Sequence, residues 1–412
     1  MSSSAPVRTD LEAALRELLG DGLTGGDAAF AVDGMLPEFV ATPASVDELA
    51  SVLAAAGDHG AAVVPWGGGR HMGLGNAPAR YDVALRTGKL DRVIEHEPAD
   101  LTITVEAGTT MGALQELLRE HGQFLPIDAP TDATVGGVLA SGVSGPSRHA
   151  YGLPRDWLLG CRVAQAGGVM VHGGGRVVKN VAGYDLPKLF VGSLGTLGVI
   201  VEATFKVSPL PPAQETLVVH AASVEAAASL VFAADERSLS LRAAALRAQG
   251  ADMQAVFWLA GPPSAVDRTS RELHELATGA VERLEGRASE PWWSSLVDVP
   301  TSGLELRASL PPSAVAGFIA GWEGEVVAYP TTGLVLVRLE ATATEELAGQ
   351  VARARALAEA SGGTLVVASA PAELKKRLDV WGESEGLPLM RRLKQQFDSN
   401  NTLNPGRFVG GL

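Results

Sequence analysis

The residues of this chain best placed to do chemistry are glycines. One dense block, Trp66-Gly67-Gly68-Gly69-Arg70-His71-Met72-Gly73, follows directly on a short apolar strand, Ala61 to Pro65. A second runs from Thr134 to Gly152 and a third from Gly167 to Gly198. Glycine behind a strand lets backbone approach a ligand with no Cβ in the way. Amides exposed in this manner neutralise an anion without lysines. The dinucleotide spacing Gly-x-Gly-x-x-Gly is absent, because Met72 stands where the third glycine belongs, and Gly88-Lys89 is followed by Leu90, so no P-loop is present. Any one block reads equally well as ordinary tight turns. Three in one region read as a groove for a large, extended cofactor with a pyrophosphate.

The elements that must hold these loops follow from caps and periodicity. Ser45 to Glu48 is a capping box ahead of Leu49, Val52 and Leu53, with Gly57 and Gly60 ending that helix. Val83–Arg86 and Leu101–Ala107 read as strands, Thr110–Glu120 as an amphipathic helix closed by Gly122, and Val199–Val207 as an exit strand. Pro209-Leu210-Pro211-Pro212 marks a boundary. Beyond it the rhythm is α+β without glycine loops: strands at Thr216–His220, Met253–Leu259, Gly303–Leu310, Gly333–Leu339 and Thr364–Ala368, with helices at Ser223–Ala234, around Glu272–Leu284, and at Glu345–Ala360. No short-period repeat and no low-complexity tract is visible.

Composition narrows the partners. A chain of 412 residues, 46% apolar, has enough for two domains. A net charge of −14 with no basic run disfavours nucleic acid. Cys161 is the single cysteine, so a disulfide or a cysteine-held iron-sulfur centre would need another chain. No stretch approaches the ~20 continuous apolar residues of a membrane helix, and no basic-then-apolar leader opens the chain. The expectation is a cytoplasmic protein, peripheral to the inner membrane at most through partners.

Pro65-Trp66-Gly67-Gly68-Gly69-Arg70 resembles the pyrophosphate loop of the vanillyl-alcohol oxidase, or p-cresol methylhydroxylase (PCMH) type, superfamily of FAD-binding proteins. There Arg usually stands at the place of Trp66, and Ser or Thr at the place of Arg70. Pro126-Ile127-Asp128-Ala129-Pro130 with Ala133-Thr134-Val135-Gly136-Gly137, continued by Ser144-Gly145-Pro146, resembles its second FAD segment. Val178 to Leu186 and Gly192 to Ile200 are most similar to the FAD-binding subunits of bacterial glycolate oxidase, and Asn404-Pro405-Gly406-Arg407 to the C-terminal family signature. The resemblance implies an α+β protein. Its N-terminal helical segment (1–32) leads into a bipartite FAD domain of two α/β subdomains (33–212), followed by a ferredoxin-like α+β cap (213–386) and a C-terminal segment returning to the FAD domain (387–412). It also implies noncovalent FAD, held by Trp66, Gly67, Gly68, Gly69, Arg70, His71, Pro130, Thr131, Thr134, Val135, Gly136, Gly137, Ser141, Ser144, Gly145, Lys179, Asn180, Gly183, Tyr184, Gly195, Gly198, Ile200 and Asn404.

In related covalent flavoproteins the flavin is attached to a histidine at the place of Arg70, and His71 sits one residue late, where its side chain is re-aimed. Lys179 is a candidate to stabilise negative charge on a reduced flavin. Tyr184 and Asp185 read as either flavin-orienting or structural, His149 as a satisfied structural donor, and Trp292 and Trp293 as packing anchors. The His-x-Gly-Asp-Gly-Asn type metal signature of catalytic hydroxy-acid subunits is absent from the cap, whose only histidines are His220 and His274. The catalytic residues are unassigned, and no metal is expected. The resemblance therefore implies a flavin-carrying glycolate oxidase subunit that works with a catalytic flavin subunit and an iron-sulfur subunit and is inactive alone on glycolate. A self-sufficient 2-hydroxy acid or alcohol dehydrogenase and a structural subunit with a vestigial groove are the alternatives.

Overall fold

A computed structural model describes residues 5–175, 184–297, 303–340 and 344–412. The N-cap of the expected capping box forms, Ser45 Oγ accepting from the Glu48 amide at 3.1 Å, while a Glu48 carboxylate oxygen reaches one residue further back and accepts from the Ala44 amide at 2.7 Å. The helix it starts, Val46–Asp58, buries Leu49, Val52 and Leu53 against a small sheet. That sheet comprises β1 (Leu23–Gly25), β2 (Phe39–Ala41), β3 (Val63–Trp66) and β4 (Val83–Arg86) in the order β1-β2-β4-β3, its last three strands parallel. A further helix, Ala5–Leu19, puts Leu11 and Leu15 into the same core. The N-terminal segment is thus built into the first subdomain.

The chain continues through β5 (Val93–Glu97), β6 (Thr102–Glu106), the short β7 (Gln123–Phe124), β8 (Leu158–Ala164), β9 (Met170–Gly174) and β10 (Val199–Lys206). Five of these form an antiparallel sheet, β5-β6-β10-β8-β9, and β7 pairs apart with β11 (Ser208–Pro209). Leu114 and Leu118 of the helix Met111–Glu120 seal this sheet's core.

The cap is a doubled unit. Its first half runs β12 (Ala213–His220), helix Val224–Glu236, β13 (Leu241–Gln249), β14 (Asp252–Gly261), helix Pro263–Leu276, β15 (Val281–Glu285). Its second half runs β16 (Leu304–Ser309), helix Val315–Ile319, β17 (Glu325–Tyr329), β18 (Leu334–Leu339), helix Glu345–Ala360, β19 (Thr364–Ser369). Each is a βαββαβ ferredoxin-like unit. Joined antiparallel along β13 and β17, they make one eight-stranded sheet, β15-β12-β14-β13-β17-β18-β16-β19. One face is covered by the cap's own helices. The other, carrying Val218, Ala243, Trp258, Tyr329 and Leu336, packs with Trp293 of the helix Glu290–Val297.

The helix read from Glu272 to Leu284 ends instead at Leu276, and β15 begins at Val281. Leu273, Val281 and Leu284 share a helical spacing by coincidence. Gly279 crosses the His220 carbonyl so closely that a Cβ would lie 1.9 Å from its oxygen. After the cap, the helix Leu387–Phe397 leads the chain back to β3, where Val63 N donates to Thr402 O at 2.8 Å and Asn404 N donates to Val63 O at 2.9 Å. Among the described residues no helix is long and apolar enough to cross a membrane.

Candidate functional site

The three glycine blocks meet in one groove. Its lining draws on Pro65 to Met72 after β3, on Thr134 to Ser141 at the helix Val135–Ser141, on Leu194 to Ile200 leading into β10, and on Asn404 and Arg407 of the C-terminal return. Seven glycines among the described residues face it: Gly67, Gly68, Gly69, Gly136, Gly137, Gly195 and Gly198.

Two of these must be glycine because the blocks interlock. A Cβ on Gly67 would fall 2.1 Å from Thr134 Oγ1, and one on Gly68 would fall 2.4 Å from the Asp132 carbonyl. Arg70 closes the junction, its Nε donating to Asp132 Oδ1 at 2.6 Å and its Nη2 lying 2.5 Å from Oδ2. The arginine's hydrogen bonds hold the Asp132 carboxyl below its ordinary range. The groove's other arginine, Arg407, spends one nitrogen on the Met72 and Leu74 carbonyls at 2.6 Å each. Among the described residues no lysine lines the groove. An anion there would be met largely by backbone amides. Asn404 lies at its floor with Nδ2 bonded to the Leu194 carbonyl and Oδ1 buried without a partner among the described residues. An orphaned acceptor and a cradle of glycines fit a long, hydrogen-bonding cofactor.

His71 borders this groove and also two cavities between the FAD domain and the cap. Burial first, then the nearby charges of Arg307 and Arg70, pull its imidazole down to about 4, so it is neutral at physiological pH. Both cavities are lined by Glu305 and Arg307 of β16. These two end a ladder of charges across the cap sheet. Arg247 of β13 lies 2.9 Å from Glu325 of β17, Arg338 of β18 stands 3.8 Å from Glu325 and 3.0 Å from Glu305, and Arg307 stands 3.9 Å from Glu305. Three arginines share two carboxylates. The surplus falls on Arg307, whose Nε is buried with no partner among the described residues. Burial holds its pKa below the ordinary arginine value, yet 22% of the side chain stays open, which locates the open part in the cavities it lines. Beside it the Tyr329 hydroxyl is also buried and unpartnered, and burial raises its pKa. A desolvated guanidinium with unused donors is a receptor for a carboxylate.

Sequence reasoning missed Arg307. In Leu304-Glu305-Leu306-Arg307 the alternation reads as a strand with one wet face, and nothing local tells that this face is covered by another domain.

Of the residues anticipated for the cofactor, Trp66, Gly67, Gly68, Gly69, Arg70, His71, Thr134, Gly136, Gly137, Ser141, Gly195, Gly198, Ile200 and Asn404 line the groove. Pro130 and Ser144 border the smaller cap cavity. Thr131 lines a separate cleft toward Arg242 and Trp258, and Val135 is buried in the core of the second subdomain. Gly145 is pressed against Asp128 and Val297. Tyr184 is 92% exposed, and Asp185 pairs with Lys188 at 2.7 Å. Lys179, Asn180 and Gly183 lie outside the described residues. His149 donates to or accepts from Thr331 Oγ1 at 2.8 Å, and Trp293 donates to Thr216 Oγ1 at 2.8 Å while stacking on Trp258. Among the described residues no group of three or more His, Cys, Asp or Glu could hold a metal ion.

Residues 37–174 match the family described as FAD binding domain. The cofactor is FAD. The chain is similar to glycolate oxidase subunit GlcD of Bacillus subtilis, 27% identical over 90% of this chain and 89% of that protein. It is 42% identical to glycolate oxidase subunit GlcE of Escherichia coli over 128 residues, 30% of this chain and 37% of that protein. The fold is that of p-cresol methylhydroxylase, whose structure superposes with a TM-score of 0.71 at 18% identity over 98% of this chain and 97% of that one. The FAD-binding chain therefore has the PCMH-type α+β architecture, with the doubled cap set over the groove.

Proposed function

We propose that this FAD-dependent oxidoreductase oxidises a small 2-hydroxy acid such as glycolate to the 2-oxo acid, as a subunit of a glycolate oxidase type assembly. The observation that carries the proposal is the surplus cation of the ladder, Arg307, in cavities that reach the glycine groove through His71. FAD would be held noncovalently by the groove residues from Trp66 to His71, Thr134 to Ser141, Gly195 to Ile200 and Asn404. Arg70 is committed to Asp132 and offers no attachment point. When bound, FAD supplies the two-electron acceptor for the hydride that leaves the substrate carbon. Arg307 pairs with the substrate carboxylate and fixes the hydroxyl-bearing carbon near His71. The cap sheet, with Tyr329 and Leu336 on its inner face, keeps water from the reacting atoms.

Electrons then pass to partners, for which a catalytic flavin subunit and an iron-sulfur subunit are the candidates. The missing metal signature in the cap favours a second reading, in which this chain only relays electrons. The expectation of inactivity in isolation rests on that missing signature, with neither a base nor a carboxylate clamp assigned; in the present reading Arg307 would supply the clamp.

The test is to mix the isolated FAD-loaded protein anaerobically with glycolate or D-lactate and follow flavin bleaching. Saturable bleaching, lost in Arg307→Met, is expected. Bleaching that appears only with partner subunits supports the relay. Acid precipitation should leave the flavin in the supernatant, and a yellow pellet would overturn noncovalent binding.

A further inference from the structure

His71 is the one histidine lining the glycine groove or the cap cavities, and no hydrogen bond to its ring is present among the described residues. It therefore has a nitrogen to offer. The groups around it come from several elements. Arg70 belongs to its own loop but is paired with Asp132, and Arg407 on the groove side is engaged with carbonyls. Asp128 on the smaller cavity accepts from Ser147 Oγ at 2.8 Å. From the cap come Glu305 and Arg338, which pair with each other, and Arg307. Arg407 also has a buried Nε without a partner among the described residues, but it faces the groove; in the cap cavities Arg307 is the cation without a hydrogen-bonded carboxylate among the described residues.

We propose that His71 is the proton acceptor of the reaction and that the substrate switches it on by laying its own carboxylate against Arg307. The inference rests on the reading of Arg307 given above. In the step, the substrate O–H bond breaks and its proton forms an N–H bond on His71. The carbonyl forms, and the hydride leaves with its electron pair to the two-electron acceptor already assigned. His71⁺ then returns its proton to water. In the resting protein burial first, and then the charge of Arg307, oppose a positive charge on the imidazole and leave it a weak base. A bound carboxylate cancels that opposition, so basicity rises only when there is a substrate to deprotonate.

The proposal can be read without turnover. With histidine-labelled, FAD-loaded protein, NMR titration follows the His71 imidazole, assigned by its disappearance in His71→Asn. Oxalate, an acid that cannot be oxidised at a C–H bond, serves as probe. Saturating oxalate is expected to raise the His71 pKa by about one unit or more. Arg307→Met should raise it without oxalate and abolish the response. In turnover, the acid limb of kcat should lie at higher pH than that of kcat/KM, since the first reports the complex and the second the free enzyme. His71→Asn should lower kcat for glycolate about 100-fold or more, with KM little changed.

Oxalate that perturbs the flavin spectrum while His71 titrates unmoved would reject this proposal and leave the Arg307 site standing. So would a His71→Asn protein that reduces its flavin within a few-fold of the wild-type rate. If oxalate binds nowhere and glycolate bleaches no flavin, the Arg307 reading falls and takes this inference with it.

Discussion

Lys375 and Arg407 divide four successive carbonyls between them. Arg407 takes those of Met72 and Leu74 at 2.6 Å each, and Lys375 takes those of Gly73 and Gly75 at 2.6 and 3.0 Å. One cation comes from the end of the cap and the other from the C-terminal return. Together they hold the loop that carries His71 at a fixed height over the groove. Lys375 also pairs with Asp33 at 2.9 Å, and both side chains are almost fully enclosed.

Lys375→Met removes one half of that enclosed pair and leaves Asp33 and two carbonyls unmet, which should cost about 3–5 kcal/mol. Urea unfolding of the apoprotein measures this. A wild-type midpoint would show that the loop is held by Arg407 alone.

His71 titrates in folding as well. Its folded pKa of about 4 lies below the 6.5 of the unfolded chain, so between these values the unfolded chain binds the extra proton. Stability therefore rises with pH across this window and is lost as pH falls from 6.5 toward 4, by about 3 kcal/mol in all. His71→Asn should flatten that part of the stability curve, and an unchanged slope between pH 6.5 and 4 counts against a neutral buried imidazole.

Arg307→Met should stabilise the ligand-free protein by about 1 kcal/mol or more, since an enclosed cation without a hydrogen-bonded partner costs more than the thioether that replaces it. The thermal midpoint should rise, and oxalate should no longer shift it. A fall in the midpoint would mean that Arg307 serves the fold rather than a ligand.

Gly68→Ala and Asn404→Ala separate two reasons for losing FAD. The added Cβ at Gly68 meets the Asp132 backbone at 2.4 Å, so the apoprotein itself should lose about 1–3 kcal/mol. Asn404→Ala gives up an acceptor aimed at nothing within the described residues together with the Nδ2 bond to the Leu194 carbonyl, so FAD affinity should fall about tenfold while the apoprotein loses only about 1 kcal/mol. Differential scanning calorimetry of the apoproteins beside FAD titrations distinguishes the two. Equal loss of apo stability in both would make Asn404 a fold residue.

Much of the FAD domain was legible because its signals are local. Ser45 and Glu48 cap the helix they announce, Thr110 caps Met111–Glu120, and Val83–Arg86 is the strand its residues describe. Glycine blocks also declare a groove, since nothing else needs so many missing side chains together. The cap was read less completely. β13 is alanine-rich and β17 is short, so neither advertises itself, and without them two ferredoxin-like units look like one. Arg307 and His71 become a site only when β16 is laid over the loop after β3, a contact more than 200 residues apart that no periodicity records.

The doubled cap has a consequence for how such a protein can change its diet. The half formed by β16 to β19 presents the guanidinium to the cofactor side, while the half formed by β12 to β15 contributes the far anchor, Arg247, and Trp258, on which Trp293 of the connecting helix stacks. Their strands pair at four positions, Leu246 to Gln249 against Glu325 to Ala328, and behind the sheet the helices of both halves close over one shared hydrophobic core. Substitutions around Arg307 and Tyr329, on the opposite face, can reshape the receptor for a longer or bulkier acid while staying off that core. Specificity and scaffolding are carried by opposite faces of one sheet.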